Sequence, residues 1–197
     1  MLKDLSIIFC ERGVIRGQAL DRRVLGKPLS HPFLVMKDGE DVVSELHGTW
    51  SARCCVNDNQ PKLSKKLELS LAVASITGQA PRLSSVFEAT FPKSFPVNRM
   101  VELQGNRQYK LAARESELVS GEETQEVWQH LTSSARVYDA IRFPYVRYAF
   151  GAQDVNCQKT MRALLENAEI DTSVLSLELG EAGWDRAPLF YSAACEV

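Results

Sequence analysis

The stretch His31-Pro32-Phe33-Leu34-Val35-Met36-Lys37-Asp38-Gly39-Glu40-Asp41-Val42-Val43-Ser44-Glu45-Leu46-His47-Gly48 decides how the rest of the chain is read. Phe33 to Met36 is a compact apolar run, Asp38-Gly39 is a tight-turn signal, and Val42 to His47 resumes strand-forming residues. The pattern is a β-hairpin with a histidine at the outer end of each strand. Residues equally far from a hairpin turn lie across from one another, so His31 and His47 can be neighbours.

Upstream of the hairpin, Leu5 to Cys10 reads as a strand or buried segment, and Glu11 to Lys27 is a charged, glycine-punctuated stretch with no assigned element. Downstream, Asn57 to Lys66 is polar and holds Pro61, which marks a turn or loop. Leu67 to Val73 alternates apolar with polar residues as a half-buried strand does, although Leu63 through Leu71 also permits a helix. Pro81 to Pro96 is irregular. Val101 to Leu103 and Tyr109 to Ala113 are expected to form a second hairpin around Gly105-Asn106. Ser120-Gly121-Glu122-Glu123 is a helix-start signal. The helix that follows runs to about Tyr138, with Val127, Trp128, Leu131, Ala135 and Tyr138 on its apolar face. An aromatic loop, Arg142 to Gly151, leads to Asn156-Cys157. There a second amphipathic helix begins, with Met161, Leu164, Leu165 and Ala168 as its core-facing stripe. The tail from Asp171 is weakly patterned, and Gly180 to Pro188 reads as loop. The expected fold is α+β: an antiparallel sheet of five or six strands, including the histidine hairpin, packed against the two helices.

With 197 residues and 45% hydrophobic content the chain suits a single domain, 1–197, with a substantial core. Lysine and arginine number 23 against 25 acidic residues, a net charge of −2, so no electrostatic case exists for nucleic acid or an anionic membrane as partner. The apolar start is too short for a signal peptide, and no run approaches the roughly 20 residues that span a bilayer. The expectation is a soluble, cytoplasmic protein without integral membrane association, with export lacking a cleaved signal left open. Five cysteines, without C-x-x-C spacing, build neither a disulfide framework nor a zinc site, so no metal and no cofactor is expected. Vicinal Cys54 and Cys55 are read as one buried and one exposed thiol.

The chemistry centres on Cys157. A helix N-terminus offers free N–H groups and a positive dipole end, which stabilise a thiolate and can hold an oxyanion. A cysteine nucleophile also needs an imidazole base and a group that orients it, and His31 and His47 can fill either role. Asn156 reads as a substrate-orienting residue or as the cap of the cysteine helix, and Asp154 has the same two readings. Tyr145 and Tyr148 either line an acyl or peptide groove or pack beneath the loop. Arg142 and Arg147 between them are solvated or bind an anion, and His130 is a surface residue of its helix. The plainer alternative makes Cys157 a small buried hydrophobe and leaves the histidines satisfying backbone carbonyls.

The order of histidine, histidine and a late Asn-Cys pair resembles the circularly permuted, lecithin retinol acyltransferase-like branch of the NlpC/P60 papain-like superfamily. His31-Pro32-Phe33-Leu34-Val35 matches its first element, Val43-Ser44-Glu45-Leu46-His47-Gly48 its second, and Asn156-Cys157 its third. The likeness covers roughly residues 29 to 50 and 121 to 168. The hairpin elements also look like a bacterial group of large secreted proteins in which a serine often replaces the cysteine. The resemblance implies a papain-like thiol-hydrolase fold, with Cys157 as nucleophile, His31 as general base and acid, and His47 as the polarising third residue. It implies a peptidase, amidase or acyltransferase acting on an amide, isopeptide, thioester or ester bond; among these, the near-neutral charge and the lack of a membrane segment slightly favour a peptide or amide over phospholipid. It also makes the stretch near 54–117 additional strands plus a family-specific insertion. Pro32 departs from the pattern, because proline cannot donate a bond within a sheet, and with a different register His47 would be the base. The second functional reading is a non-catalytic papain-like binding module, or a secreted effector, with a structural cysteine.

Overall fold

The computed structural model describes residues 4–14, 18–51, 97–141, 145, 148–149 and 155–184. Five strands, β1 (Leu5–Gly13), β2 (Ser30–Asp38), β3 (Asp41–Ser51), β4 (Val97–Gln104) and β5 (Arg114–Ser120), form one sheet in the order β4-β3-β2-β1-β5. Every neighbouring pair is antiparallel. Among the described residues three α-helices accompany it: α1 (Gln18–Leu25), α2 (Thr124–Ile141) and α3 (Cys157–Asn167). The architecture is therefore α+β, with the histidine hairpin, β2 and β3, inside the sheet. The expected strand or helix at Leu67 to Val73, together with Cys54, Cys55, Asp154, Arg142 and Arg147, lies outside the described residues.

Alternation of side chains along each strand gives the sheet two unlike faces. Ile7 and Phe9 of β1, Leu34, Leu46 and Met100 are buried against Trp128, Leu131, Ala135 and Tyr138 of α2 and Met161, Leu164 and Leu165 of α3. This is the main core, and it uses the helical stripes the periodicity defines. The opposite face carries a smaller cluster of Ile8, Cys10, Phe33 and Val35, against which Tyr109 and Ala112 pack.

The second hairpin expected around Gly105-Asn106 does not form. β4 pairs with β3 and β5 with β1, so the two strands occupy opposite edges of the sheet. Four inter-strand spacings separate them, about 19 Å at ~4.8 Å each. The connection 105–113 can reach about 30 Å when extended and crosses the sheet with room for one 3₁₀ turn. That turn is Tyr109–Leu111. Gly105, at φ +70, redirects the chain, and its N–H donates to Val43 O at 2.9 Å. A local hairpin would have left the second face bare, whereas the crossing covers its apolar cluster.

Pro32 sits in β2 opposite Glu11, a central position that proline normally avoids. Its tolerance follows from the register. The Glu11 carbonyl accepts from Ala113 N–H at 2.7 Å, so its backbone groups face away from β2 and Glu11↔Pro32 is a non-hydrogen-bonded pair. The proline nitrogen therefore faces β3. Pairing between β2 and β3 ends one residue earlier, at Phe33↔His47, so no ladder bond is lost. Beyond that pair the two strands form a fork.

α1 lies in the stretch that carried no sequence assignment. Its buried Asp21 accepts from the Leu29 N–H at 3.4 Å and from the Tyr148 hydroxyl at 2.9 Å. Leu29, Tyr148 and Ala182 form a third buried cluster, with Leu20, Val24 and Leu25 against it. No helix among the described residues is long and apolar enough to cross a membrane.

Candidate functional site

The hairpin brings the two histidines together. His31 Nε2 lies 3.3 Å from His47 Nδ1, and the rings are nearly parallel, with centroids 5.5 Å apart and planes at 8°. Phe33, opposite His47 in the register, stacks on it at 4.7 Å. His47 Nε2 then meets Glu45 Oε2 at 3.0 Å, since residues two apart on a strand share a face. Glu45 is fully buried, yet it accepts backbone N–H bonds of 2.8 to 2.9 Å from Arg107, Gln108 and Tyr109 in the crossing connection. Burial alone would push its carboxyl pKa up. The bonds from His47 and from the Tyr109, Gln108 and Arg107 N–H groups outweigh this and hold it below the usual range.

An ionised Glu45 sets the protons of the whole chain. It can only accept, so His47 Nε2 carries the hydrogen and His47 Nδ1 is left as acceptor. His31 Nε2–H then donates to that nitrogen, which places the lone pair of His31 on Nδ1. Both rings are neutral: burial drives the His31 pKa well down, with further lowering from Arg12 and His47, and burial also lowers His47 against the opposing pull of Glu45. The Glu45-His47-His31 array therefore presents an unprotonated imidazole nitrogen held in one tautomer.

Cys157 opens α3 at the fork between β2 and β3. Asn156 caps the helix, its Oδ1 accepting from Lys159 N–H at 3.0 Å while its Nδ2 donates to Ala182 O at 2.8 Å. Gln158 ties the same turn to β2 through Ser30 O at 3.0 Å, and to Gly180 O at 2.9 Å. On the β3 side, a Cβ added to Gly48 would lie 3.1 Å from Cys157 Cα, a tight contact, so the glycine after His47 lets the helix start approach closely. Cys157 is 3% exposed, and the Tyr145 hydroxyl lies 3.9 Å from its sulfur. Among the described residues neither imidazole is hydrogen-bonded to the thiol. Burial pushes the Cys157 pKa up. Tyr145, Arg12 and the N–H groups of Gln158 and of Cys157 itself pull it down without cancelling that effect. The helix start alone thus does not produce a resting thiolate. The site rests as a neutral thiol near neutral imidazoles.

Two members of the constellation were not singled out from sequence. Glu45 had a readable signal, its i, i+2 spacing from His47 in a strand. Arg12 had none, because it lay in the unassigned stretch and nothing local says that β1 runs to Gly13 beside the hairpin. It pairs with His31 across β1 and β2, and its charge acts on Cys157, His31, His47 and Glu45 alike. The remaining predicted residues are also placed. Asn156 is fully buried and caps α3. Tyr145 lies at the thiol. Tyr148 is fully buried, with its hydroxyl on Asp21. His130 is exposed, its Nε2 3.5 Å from Asn167 Nδ2. No group of three or more His, Cys, Asp or Glu positioned for a metal ion occurs among the described residues.

Compared with protein-family models, with curated proteins and with solved structures, the chain matches none.

Proposed function

We propose that this chain is a papain-like cysteine hydrolase or acyltransferase of the permuted NlpC/P60 type, acting on an amide, isopeptide, thioester or ester bond. The observation that carries the reading is the Glu45-His47-His31 hydrogen-bond array, which ends at the strand fork where Cys157 begins a capped helix. His31 Nδ1 takes the thiol proton as Cys157 Sγ bonds to the carbonyl carbon and the carbonyl π pair moves to oxygen. The N–H groups of Cys157 and Gln158 donate to that oxyanion. When the pair returns, the bond to the leaving group breaks and His31 hands over its proton. Water, deprotonated by His31, or an acceptor nucleophile then releases the acyl group. Glu45 acts through His47, favouring the imidazolium while it exists. Because thiol and imidazole both rest neutral, attack is base-assisted and needs no preformed ion pair.

A second reading, a papain-like binding module with a structural cysteine, is favoured by the burial of Cys157 and the absence of a bond from its sulfur to either ring. A panel of acyl-aminomethylcoumarin amides, thioesters and phospholipids separates the two. For any substrate turned over, Cys157→Ala is expected to lower kcat/KM at least about 10³-fold and His31→Ala about 10²- to 10⁴-fold. Turnover that survives Cys157→Ala undiminished sinks the nucleophile assignment.

A further inference from the structure

Arg12 is a cation placed at this site with no ion pair to a carboxylate among the described residues. It lies directly opposite His31, and since Val14 N–H donates to Leu29 O at 2.9 Å, two residues further along the same register, Arg12↔His31 is the closely bonded kind of pair. The guanidinium and the imidazole therefore project from the same face. Nη1 donates to Gly13 O at 3.2 Å. Nε is shut off from solvent and has no hydrogen-bond partner among the described residues. Glu45, the carboxylate nearest in the array, is already committed to His47 and three N–H groups. A half-buried guanidinium with an unmet donor is costly unless something negative completes it, and its planar fork suits a carboxylate.

We infer that Arg12 is the anion-binding residue of the site, and that the ligand carries a carboxylate which docks on the guanidinium beside His31 and Cys157. The inference rests on the proposed catalytic site for its biological meaning, but for its test only on the placement of Arg12 opposite His31, next to Ser30, whose carbonyl Gln158 of the cysteine turn holds at 3.0 Å. It narrows the substrate class to acyl compounds with a negative group near the reacting carbonyl, such as acidic peptides or other carboxylate-bearing amides and esters.

Two haloacetyl reagents that differ in charge test it. In each, the Cys157 thiolate displaces iodide, the S–C bond forming as the C–I bond breaks, and the thiol proton passes to base. The rate ratio of iodoacetate to iodoacetamide at Cys157, read by peptide mass spectrometry and divided by the same ratio for free cysteine, cancels any change in thiol acidity. The expected ratio is about tenfold above that of free cysteine, with iodoacetate labelling saturable and slowed by acetate but not by equal chloride. It is expected to fall to the free-cysteine value in Arg12→Gln and to an intermediate value in Arg12→Lys, which keeps the charge but not the fork. A ratio unchanged in both variants overturns the inference. Should neither reagent reach the thiol, or the variants fail to fold, the native protein decides: acetate is expected to shift the ¹H–¹⁵N resonance of Arg12 Nε, and an unmoved resonance overturns it. Loss of turnover in the substrate panel with the reagent ratio intact would remove the catalytic reading and leave the anion site.

Discussion

At the scale of single residues, Glu45 is where burial and hydrogen bonding compete, and the four donors that converge on its carboxylate win. Its negative charge fixes the hydrogen on His47 Nε2 and, through it, the lone pair on His31 Nδ1. Glu45→Gln replaces an acceptor-only group with one that can also donate, and the tautomers lose their definition. Nitrogen-detected NMR near pH 8 is expected to show Nε2–H on both rings of the native protein and mixed tautomers in the variant; under the proposed hydrolase function, kcat falls about 10²-fold with it. A native His47 protonated on Nδ1 would contradict the assignment. Gly48 makes a second residue-level case. A methyl group there would meet Cys157 Cα, O and Cβ at 3.1, 3.2 and 3.3 Å, mostly backbone that cannot swing aside. Gly48→Ala is expected to cost about 1–3 kcal/mol in chemical denaturation, with a parallel loss of Cys157 reactivity. A neutral result would mean that the helix start yields freely.

At the scale of elements, α3 depends on its first turn. Asn156 satisfies an orphan N–H of the helix and, with its other end, a buried carbonyl, so Asn156→Ala is expected to destabilise the protein by about 1–2 kcal/mol, measured as a shift in the urea midpoint. This element was legible in sequence, because a capping residue before a 3.6-residue apolar stripe is a local pattern. So were the hairpin, with its Asp-Gly turn, and the apolar face of α2. α1 was not, since it is short and polar and is held by Asp21 to residues far along the chain. Nor was the pairing of β4 and β5. Gly105-Asn106 carries a turn signal whichever way the chain leaves it, and the choice of a crossing over a hairpin is made by the apolar face it covers. The same non-locality explains the site. His31, His47 and Cys157 stand out by type and order, while Arg12 acquires its position only from the pairing of β1 with β2.

At the scale of the whole molecule, the buried titratable groups bound the pH range of stability. His31 and His47 have folded pKa values below the ordinary imidazole value. The unfolded chain therefore takes up protons that the fold refuses, and stability present above about pH 6.5 is lost as pH falls below it. Glu45, also depressed, steepens that acid limb at lower pH. Cys157 and Cys10 are shifted the other way, chiefly by burial. They stay protonated in the fold while the unfolded thiols ionise, so their contribution is present below about pH 8.5 and declines above it. Urea unfolding across pH is expected to show a plateau between about 6.5 and 8.5, with the acid limb shallower in His31→Gln. A stability maximum near pH 5 would be incompatible with two buried neutral histidines.

The crossing connection carries a consequence for transplantation. The hairpin holds both histidines and Glu45 within 17 residues of sequence, His31 to His47, which makes it an inviting module to graft onto another sheet. Moved alone, it would arrive with its carboxylate stripped of the N–H donors of Arg107, Gln108 and Tyr109, and a bare buried Glu45 would take up a proton and release the imidazoles to either tautomer. The portable unit is the hairpin together with the chain that passes over it from one edge of the sheet to the other, so the length and sequence of 105–113 are constrained by acid–base chemistry as well as by span.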